Sequence, residues 1–380
     1  MERCDVLIIG AGPAGAAAGV TLARAGLGVT IVDRAFFPRT KTCGDALSER
    51  AVALLRALAG ARAESLPRAE VRSAAAILPE GPRIVRRCSG DPGWIVRRVD
   101  LDACLRDAAE EAGAQVIEGV NVRELLRERG VVIGAAAGER RWRASVVIAA
   151  DGPASIAWSA LGLEKPRQQQ LAVAATTYMR GVTMAEMGCS EHYLERALPN
   201  GYGWVFPAID GWSNVGVYQR EDSFHAGGRR LRELLAEFIA RHPERFASAT
   251  AGEVHAWPLP LRRTPRAPAG CPGLLLAGDA ARLVDPLSGE GIWQALRSGQ
   301  ITGEVAAASL AREGRVGAAA LGRLRRRVSL ELGLPCWLKG QVQGAMRVIV
   351  EYGLARHTAL SWALQRGYGG AVEPEEEVLR

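Results

Sequence analysis

Lysine, paired cysteines and long apolar runs are scarce or absent in this sequence of 380 residues. No run of about 18 apolar residues is present, so no transmembrane helix is predicted. The first strand begins within a few residues of Met1, which leaves no room for a signal peptide. The seven cysteines are odd in number and include no C-x-x-C pair, which argues against a disulfide framework and a structural zinc site. We therefore expect a cytoplasmic protein without bound metal, with peripheral contact to a membrane left open.

Arginine carries almost all of the positive charge, because the only lysines are Lys41, Lys165 and Lys339. The formal net charge is +7, yet no basic run is interleaved with aromatic residues as single-strand binding requires. Nucleic-acid partners are therefore not expected. The charge is compatible with an ordinary solvated surface and equally with attraction to an anionic substrate or to lipid headgroups.

The start of the sequence carries the glycine pattern of a dinucleotide-binding turn. An apolar strand ending at Ile9 meets three glycines, a helix-like stretch follows, and a second strand ends at Asp33. The first glycine permits a tight turn, the second admits a pyrophosphate against the backbone, and the third lets the helix pack on the strand. The helix directs its N-terminal amides at the phosphates, and the acid binds the ribose hydroxyls. The predicted cofactor contacts in this segment are Gly10, Gly12, Pro13, Ala14, Gly15, Asp33 and Arg34.

A second motif lies about 270 residues further along the chain. An apolar strand, Leu274–Leu276, runs into Gly278-Asp279, and a loop containing proline and glycine then leads to a long helix. A glycine-rich turn alone indicates only a dinucleotide. Together the two motifs describe the two ends of one bound FAD, which is the cofactor we predict.

Pieces of the nucleotide-binding region flank an inserted region of short alternating strands. The predicted fold is therefore α/β, with a Rossmann-like FAD-binding domain, an inserted and mainly antiparallel β substrate domain, and a C-terminal helical segment. The FAD-binding domain is assigned to residues 1–70, 98–165 and 261–330, the substrate domain to 71–97 and 166–260, and the helical segment to 331–380.

Apolar residues recur at helical spacing near the C-terminus. We expect the helix that carries them to cap the core, with contact to a membrane or a lipid tunnel as the alternative. The acidic run Glu373–Glu377 is predicted to be solvated. The apolar residues of the helix are Leu338, Val342, Ala345, Met346 and Ile349.

This discontinuous layout resembles the flavoproteins of the p-hydroxybenzoate hydroxylase fold, over about residues 4 to 330. Within that fold, two segments make the chain similar to the geranylgeranyl reductase family, which saturates isoprenoid double bonds. The loop Pro38–Asp45 resembles the P-R-x-K-x-C-G-(E/D) loop of the reductases, and Tyr202–Pro207 resembles their Y-x-W-x-F-P strand. The resemblance implies that Cys43 and Gly44 lie beside the flavin. It also implies that one face of the strand lines an apolar substrate tunnel, through Tyr202, Trp204 and Phe206.

The same resemblance assigns further residues to the cofactor. Arg98 matches the arginine of an R-x-x-(F/L)-D motif that reaches the flavin's linker, although Arg97 leaves the register open. The backbone at Val122 corresponds to the position that pairs with adenine in relatives, and Asp151 begins a D-G motif. Asp279 is implied to bind a ribityl hydroxyl, with the following helix pointing its positive end at the flavin. The remaining implied contacts are Gly278, Pro286, Gly289 and Gly291.

The electron donor is less clearly indicated. Relatives often carry an arginine at the end of the D-G-x-x-S-x-x-R motif, where this chain has Trp158. The tryptophan argues against docking of a nicotinamide nucleotide by that route. No second glycine-rich nucleotide motif is present, so we expect either transient binding of NAD(P)H or electron delivery by ferredoxin.

The function that the resemblance implies is reduction of a C=C bond in an isoprenoid or other apolar substrate by hydride from reduced FAD. Cys43 and Tyr202 are the candidate catalytic residues. His192 and Glu290 are unranked candidates for the proton donor.

Two other functions stay open at this point. The first is an oxygen-using hydroxylase of the same fold, since hydroxylation needs no dedicated side chain beyond the flavin environment. A halogenase is disfavoured, because the chain has no lysine between Lys41 and Lys165 and no W-x-W-x-I-P segment. The second is a non-catalytic prenyl-binding protein, against which the intact phosphate glycines and Asp279 argue.

Overall fold

The computed structural model describes residues 1–79, 83–88, 90–164 and 166–354, and the backbone of 371–372. An eight-stranded sheet forms the nucleotide-binding half of the molecule. Its strands are β1 (Glu2–Ile9), β2 (Val29–Val32), β8 (Gln115–Ile117), β9 (Glu124–Glu128), β10 (Val131–Ala137), β11 (Arg140–Ala149), β18 (Gly270–Cys271) and β19 (Leu274–Leu276). Neighbours run parallel in the order β19-β11-β1-β2-β8. The carboxyl ends of these strands therefore meet at one edge, where α/β sheets bind their ligands.

Helices cover this sheet and set the depth of its edge. Pro13 opens α1 at the position where a missing N–H is least harmful, so the amides that follow it point towards the strand edge. Helix α1 packs on both α4 and α9. The helices are α1 (Pro13–Arg24), α2 (Glu49–Ala59), α3 (Ala61–Glu64), α4 (Arg98–Glu111), α5 (Ala157–Ala160), α6 (Glu221–Ala226), α7 (Leu231–Arg241), α8 (Pro243–Phe246), α9 (Ile292–Glu313), α10 (Ala318–Val328) and α11 (Leu334–Glu351).

A second, nine-stranded sheet forms the other half, in the order β16-β12-β15-β14-β13-β5-β6-β20 with β17 also paired to β12. All of its pairs are antiparallel except β13 with β5. Its strands are β5 (Ser73–Ile77), β6 (Arg83–Arg87), β12 (Leu171–Arg180), β13 (Cys189–Tyr193), β14 (Gly201–Pro207), β15 (Trp212–Arg220), β16 (Thr250–Ala251), β17 (His255–Pro260) and β20 (Ala371–Val372). A small third sheet joins β3 (Ala46–Leu47), β7 (Gly93–Ile95) and β4 (Ala69–Val71).

Strand β14 divides its side chains between two cores, as the period of two in a strand requires. Tyr202, Trp204 and Phe206 pack with one apolar cluster, while Val205 packs with a second cluster that contains Phe238 of α7. The predicted fold class is confirmed: a parallel nucleotide-binding sheet, a mainly antiparallel second sheet and C-terminal helices. The residue boundaries of the two domains stay predictions.

Helix α11 follows α10 through a wide helical turn at Ser329–Gly333 and packs back on the molecule. The prediction that its five apolar residues cap the core is only partly right, because Leu338, Val342 and Ala345 are exposed. The inner face instead carries Gly340, whose added Cβ would lie 3.3 Å from Pro286, and Gln343, which donates to the Asn200 carbonyl at 3.1 Å. Small and polar residues fill that face, and apolar spacing alone cannot detect them.

The acidic run at 373–377 lies outside the described residues. Within the part of the chain that the structure describes, none of the helices combines the length and the hydropathy needed to cross a bilayer.

Candidate functional site

The two nucleotide motifs meet at the crossing of α1 and α9. A Cβ added at Gly278 would lie 2.8 Å from the Ala14 Cβ, and one added at Gly299 would lie 2.1 Å from the Ala14 carbonyl oxygen. The Gly278 amide also donates to the Ser298 hydroxyl of α9 at 2.8 Å. The glycine-rich turn and the Gly278-Asp279 turn therefore border one cleft, although they lie far apart in the sequence.

Asp33, predicted to bind the adenosine ribose, borders the glycine-rich turn at one end of this cleft. Its carboxylate accepts from the Ala11 amide at 2.7 Å and from the Ala35 amide at 2.8 Å. A carboxylate offers about four acceptor positions, so capacity remains for two ribose hydroxyls. Arg34 beside it is exposed, and buried Val122 lies in the loop just before β9.

A buried anion organises the middle of the cleft. Asp102 is fully buried and accepts two hydrogen bonds from Arg98, at 2.8 and 2.7 Å. It also forms an ion pair with Arg39, at 3.0 Å. In the same cleft, the Lys41 ammonium lies 3.9 Å from the Asp279 carboxylate. Burial lowers the pKa of Lys41, and neighbouring Arg98 adds to that effect. Three cationic side chains, Arg39, Lys41 and Arg98, thus lie along the cleft, where an anionic ligand can accept charge-assisted hydrogen bonds.

Arg39 and Lys41 match none of the positions that the sequence motifs assign to the cofactor. Both belong to the Pro38–Asp45 loop, whose charged positions were the available signal. The Arg39 guanidinium lies 3.5 Å from a Cβ added at Gly12, and no other described atom approaches that point within 4 Å. The open side of Gly12 thus faces the cleft, as close approach of a pyrophosphate requires. The N-terminal amides of α1, the cations Arg39, Lys41 and Arg98, and the Asp33 carboxylate together fit FAD.

Asp151 and Trp158 stand behind the glycine-rich turn. One oxygen of Asp151 accepts from the Ile156 amide at 2.9 Å, while Oδ1 is buried and has no partner among the described residues. Burial raises the pKa of Asp151. The Trp158 indole donates to the Ala280 carbonyl at 2.7 Å. Trp158 therefore supports the Gly278–Ala281 turn at the position where the resemblance suggested an arginine.

Tyr202, Trp204 and Phe206 form an aromatic wall on the opposite side. A Cβ added at Gly44 would lie 3.3 Å from Phe206 and 3.6 Å from the Trp204 nitrogen. One added at Gly289 would lie 3.4 Å from the Tyr202 hydroxyl, which donates to the Ser288 carbonyl. The wall thus touches both loops, Pro38–Asp45 and Pro286–Gly291, that the resemblance places around the flavin.

A buried polar network lies beneath Cys43 and Gly44, and no sequence motif indicated it. Tyr178 on β12 donates its hydroxyl to Asp45, and the Asn214 amide on β15 donates to the same carboxylate at 3.1 Å. The Trp204 indole donates to the other side of Asn214 at 2.9 Å, so the network reaches the aromatic wall. Burial raises the pKa of Asp45 to about 6, against the opposing effects of Tyr178 and Arg98.

Cys43 and Arg98 lie beside this network. Burial raises the pKa of the Cys43 thiol, although the Arg98 guanidinium opposes that rise. The pKa of Arg98 is itself raised, because the effect of burial is outweighed by the attraction of the Asp102 carboxylate. The thiol is therefore neutral near pH 7 and is a poor nucleophile.

The two unranked proton-donor candidates, His192 and Glu290, are each held by neighbouring side chains. The His192 ring packs between Tyr202 and Phe206, with ring centroids 5.4 and 5.1 Å away, and burial lowers its pKa to about 4. Glu290 accepts from the Ser48 hydroxyl at 2.6 Å and from Arg50 at 2.7 Å. His192 is therefore neutral near pH 7. Glu290 joins the start of α2 to the Pro286–Gly291 loop.

Replacing Arg39 should weaken FAD binding without disturbing the buried anion. Arg39→Gln removes one cation, while Arg98 continues to pair with Asp102. We expect the dissociation constant of FAD to rise by about tenfold to a hundredfold, the usual loss for a charge-assisted hydrogen bond. Titration of the cofactor-stripped protein with FAD, followed by flavin fluorescence, measures it. Arg141→Gln, at an exposed arginine of β11, is the matched control, and equal affinities in both variants would contradict the assignment.

Asp45 should make folding stability depend on pH. Its pKa is higher in the folded protein, about 6, than in the unfolded chain, so the native state binds more protons between about pH 4 and pH 6. As the pH rises through that window, the free energy of unfolding of the wild type should therefore fall by roughly 3 kcal/mol relative to that of Asp45→Asn. Above about pH 6 the difference between the two proteins should stay constant. Calorimetric Tm values of both proteins from about pH 4 to pH 8 test this; parallel Tm curves would show that Asp45 has an ordinary pKa.

Comparisons with known proteins agree with this geometry. A family model described as "FAD binding domain" matches residues 3–300. The menaquinone reductase of Mycolicibacterium smegmatis is 33% identical over 321 residues, which cover 80% of this chain and 76% of that protein. A digeranylgeranylglycerophospholipid reductase of Methanopyrus kandleri is 33% identical over 309 residues, which cover 80% of each chain.

Two solved structures share the fold. A geranylgeranyl bacteriochlorophyll reductase-like protein from Thermoplasma acidophilum superposes with a TM-score of 0.80 at 25% identity, over 92% of this chain and 91% of that chain. A flavin-dependent brominase superposes with a TM-score of 0.73 at 20% identity, over 99% and 95% of the two chains. At that identity the brominase indicates the fold alone.

Proposed function

Because the chain belongs to the FAD-dependent oxidoreductases of the geranylgeranyl reductase type, we propose that it saturates C=C bonds in the isoprenoid chain of a quinone or a membrane lipid. Bound FAD supplies the hydride for such a reduction. The observation that carries the proposal is the aromatic wall of Tyr202, Trp204 and Phe206, which contacts both loops of the cofactor cleft. An apolar wall there suits an apolar alkene and excludes water from it.

A cavity beside this wall supports an elongated substrate. It has a volume of about 190 Å³ and lies between α11 and the turn that joins β13 to β14. Tyr202 is one of its lining residues, and Leu198, Leu287, Met346 and Val350 contribute apolar surface. In this proposal one part of the isoprenoid chain lies against the aromatic wall, while the rest occupies the cavity.

The second hydrogen of the reduced bond arrives as a proton, and the pair Asp45–Tyr178 is the proposed source. In its acid form Asp45 donates its proton to the Tyr178 oxygen while the Tyr178 hydroxyl proton passes to the substrate carbon, and this leaves Asp45 as the carboxylate that accepts from Tyr178. Tyr178 is half-buried whereas Asp45 is not accessible, so the hydroxyl is the end that can reach the substrate. A pKa of about 6 suits a general acid that works near neutral pH.

Cys43 has a passive role in this proposal. A neutral, half-buried thiol would pack against the cofactor and limit access of water and oxygen. The electron donor, NAD(P)H or ferredoxin, binds only transiently. Photoreduction of the FAD-loaded protein therefore separates the test of the substrate from the question of the donor.

The decisive experiment is anaerobic. We expect the photoreduced protein to convert a menaquinone, a polyprenyl lipid or a prenyl diphosphate into a product heavier by two hydrogens, detected by mass spectrometry. Met346→Gln should lower this conversion while FAD absorbance is retained, since Met346 lines the cavity proposed for the isoprenoid chain and belongs to no cofactor motif. If every substrate of the panel returns unchanged, or if turnover consumes oxygen and yields an oxygenated product, reduction is not the function.

Asp45→Asn should lower the turnover number by about a hundredfold or more, the usual contribution of a general acid. The wild-type rate should fall as the pH rises through about 6, because the protonated carboxyl is then lost. The variant should show no such fall. Tyr178→Phe, which keeps the carboxyl but removes the bridging hydroxyl, should also be slow. Rapid turnover of both variants, with FAD fully bound, would exclude this proton source.

A further inference from the structure

Helix α11 presents an apolar stripe to the outside of the molecule. From Leu330 to Val342 its side chains recur every four residues, as one face of a helix requires. Val348 and Tyr352, again four residues apart, continue it after a gap of six residues. Each is between 38% and 71% exposed, on the side away from the buried residues Cys336, Gly340 and Gln343. The outer stripe consists of Leu330, Leu334, Leu338, Val342, Val348 and Tyr352.

The central part of the outer stripe is nearly free of charge, whereas Glu331, Arg347 and Glu351 lie towards its two ends. From Leu332 to Met346 the only charged residue is Lys339, and its ammonium points inward to buried Asp285. Contiguous exposed apolar surface of this kind marks an interaction site rather than ordinary solvent-facing helix.

Exposed arginines adjoin one end of the stripe. Arg325 and Arg326 on α10 are exposed, and neither has an ion-pair partner among the residues that the structure describes. Arg326 precedes Leu330 by four residues, about one helical turn, and Arg325 is its neighbour in the sequence. An apolar helical face bordered by unpaired arginines is the pattern of a helix that lies in the interface of an anionic bilayer.

We propose that the outer stripe and the Arg325–Arg326 pair dock this protein on the surface of an anionic lipid bilayer. The apolar side chains enter the boundary between headgroups and acyl chains, while the two guanidiniums contact lipid phosphates. Docking by this face requires no reaction, so the inference stands apart from the proposed function. It also accounts for the exposure of Leu338 and Val342 in a helix whose other face is packed on the molecule.

Sedimentation with lipid vesicles tests this docking. The FAD-loaded full chain is mixed with vesicles of phosphatidylcholine alone, or of phosphatidylcholine with about 30% phosphatidylglycerol, at low and at high salt. We expect binding to the anionic vesicles that weakens at high salt, where electrostatic attraction is screened. Arg325→Gln with Arg326→Gln should reduce the partition coefficient by about thirtyfold, from the contribution of two arginines near such a surface.

The apolar contribution is tested by a triple variant, Leu334→Gln, Leu338→Gln and Val342→Gln. Glutamine keeps helix propensity at these exposed positions, so the fold should persist, which Tm and flavin absorbance check. We expect partition into anionic vesicles to fall by at least about tenfold. Met187→Gln, at a residue that is 86% exposed on another element, is the apolar control, and Arg129→Gln with Arg141→Gln is the charge control.

Three results would overturn the proposal. One is a wild type that fails to sediment with anionic vesicles. Another is a triple variant that binds them as well as the wild type does. The third is a lipid-free dimer that the triple variant converts to monomer, since a second copy of the chain would then cover the stripe.

Discussion

The close approach of α1 and α9 at Ala14 is the constraint on which the rest of the site depends. Gly278 and Gly299 lie so near to Ala14 that any side chain on either would collide with it. Only small residues at this crossing allow the Gly278-Asp279 turn to reach the glycine-rich turn. Because of that contact, Asp279 and the start of α9 face the same cleft as the amides of α1. A cofactor as long as FAD needs both ends fixed, and this crossing fixes the distance between them.

Charge in the cleft is arranged around one buried anion. Asp102 holds Arg98 and Arg39 in place, so these cations pay little conformational entropy when an anionic ligand arrives. Asp102 does not cancel both of them, and Lys41 adds a third positive group. The arrangement explains why removal of Asp102 or Arg98 would be a poor probe of ligand binding: each would leave its partner buried and unpaired, and the fold itself would suffer.

The sequence predicted those parts of the site that local chemistry determines. Glycines at a turn, an acid that ends a strand and aromatic residues with a period of two are visible in short segments, and so the cleft, Asp33 and the face of β14 could be anticipated. The Asp45–Tyr178–Asn214 network could not, since it depends on how β12 pairs with β15 and on which loop lies above that pair. The inner face of α11 was also misassigned, because Gly340 and Gln343 pack inward and leave leucines outside. Periodicity shows that a helix has an apolar side, but not which side the rest of the molecule covers.

Helix α11 connects the two proposals through its opposite faces. On the inside, Lys339 pairs with buried Asp285, whose other oxygen accepts from the Leu287 amide at 2.9 Å and so shapes the loop that meets Tyr202. Also on the inside, Met346 and Val350 line the cavity beside the aromatic wall. On the outside, the same helix carries the outer stripe. If that stripe lies in a bilayer, an isoprenoid chain can pass from lipid into the cavity around one helix without crossing bulk water. The transfer of an apolar chain through water would be strongly unfavourable, since each exposed methylene costs about 0.8 kcal/mol. The proposed reduction of a membrane-dissolved isoprenoid needs some such route, and a helix with one face in the protein and the other in the lipid would provide it.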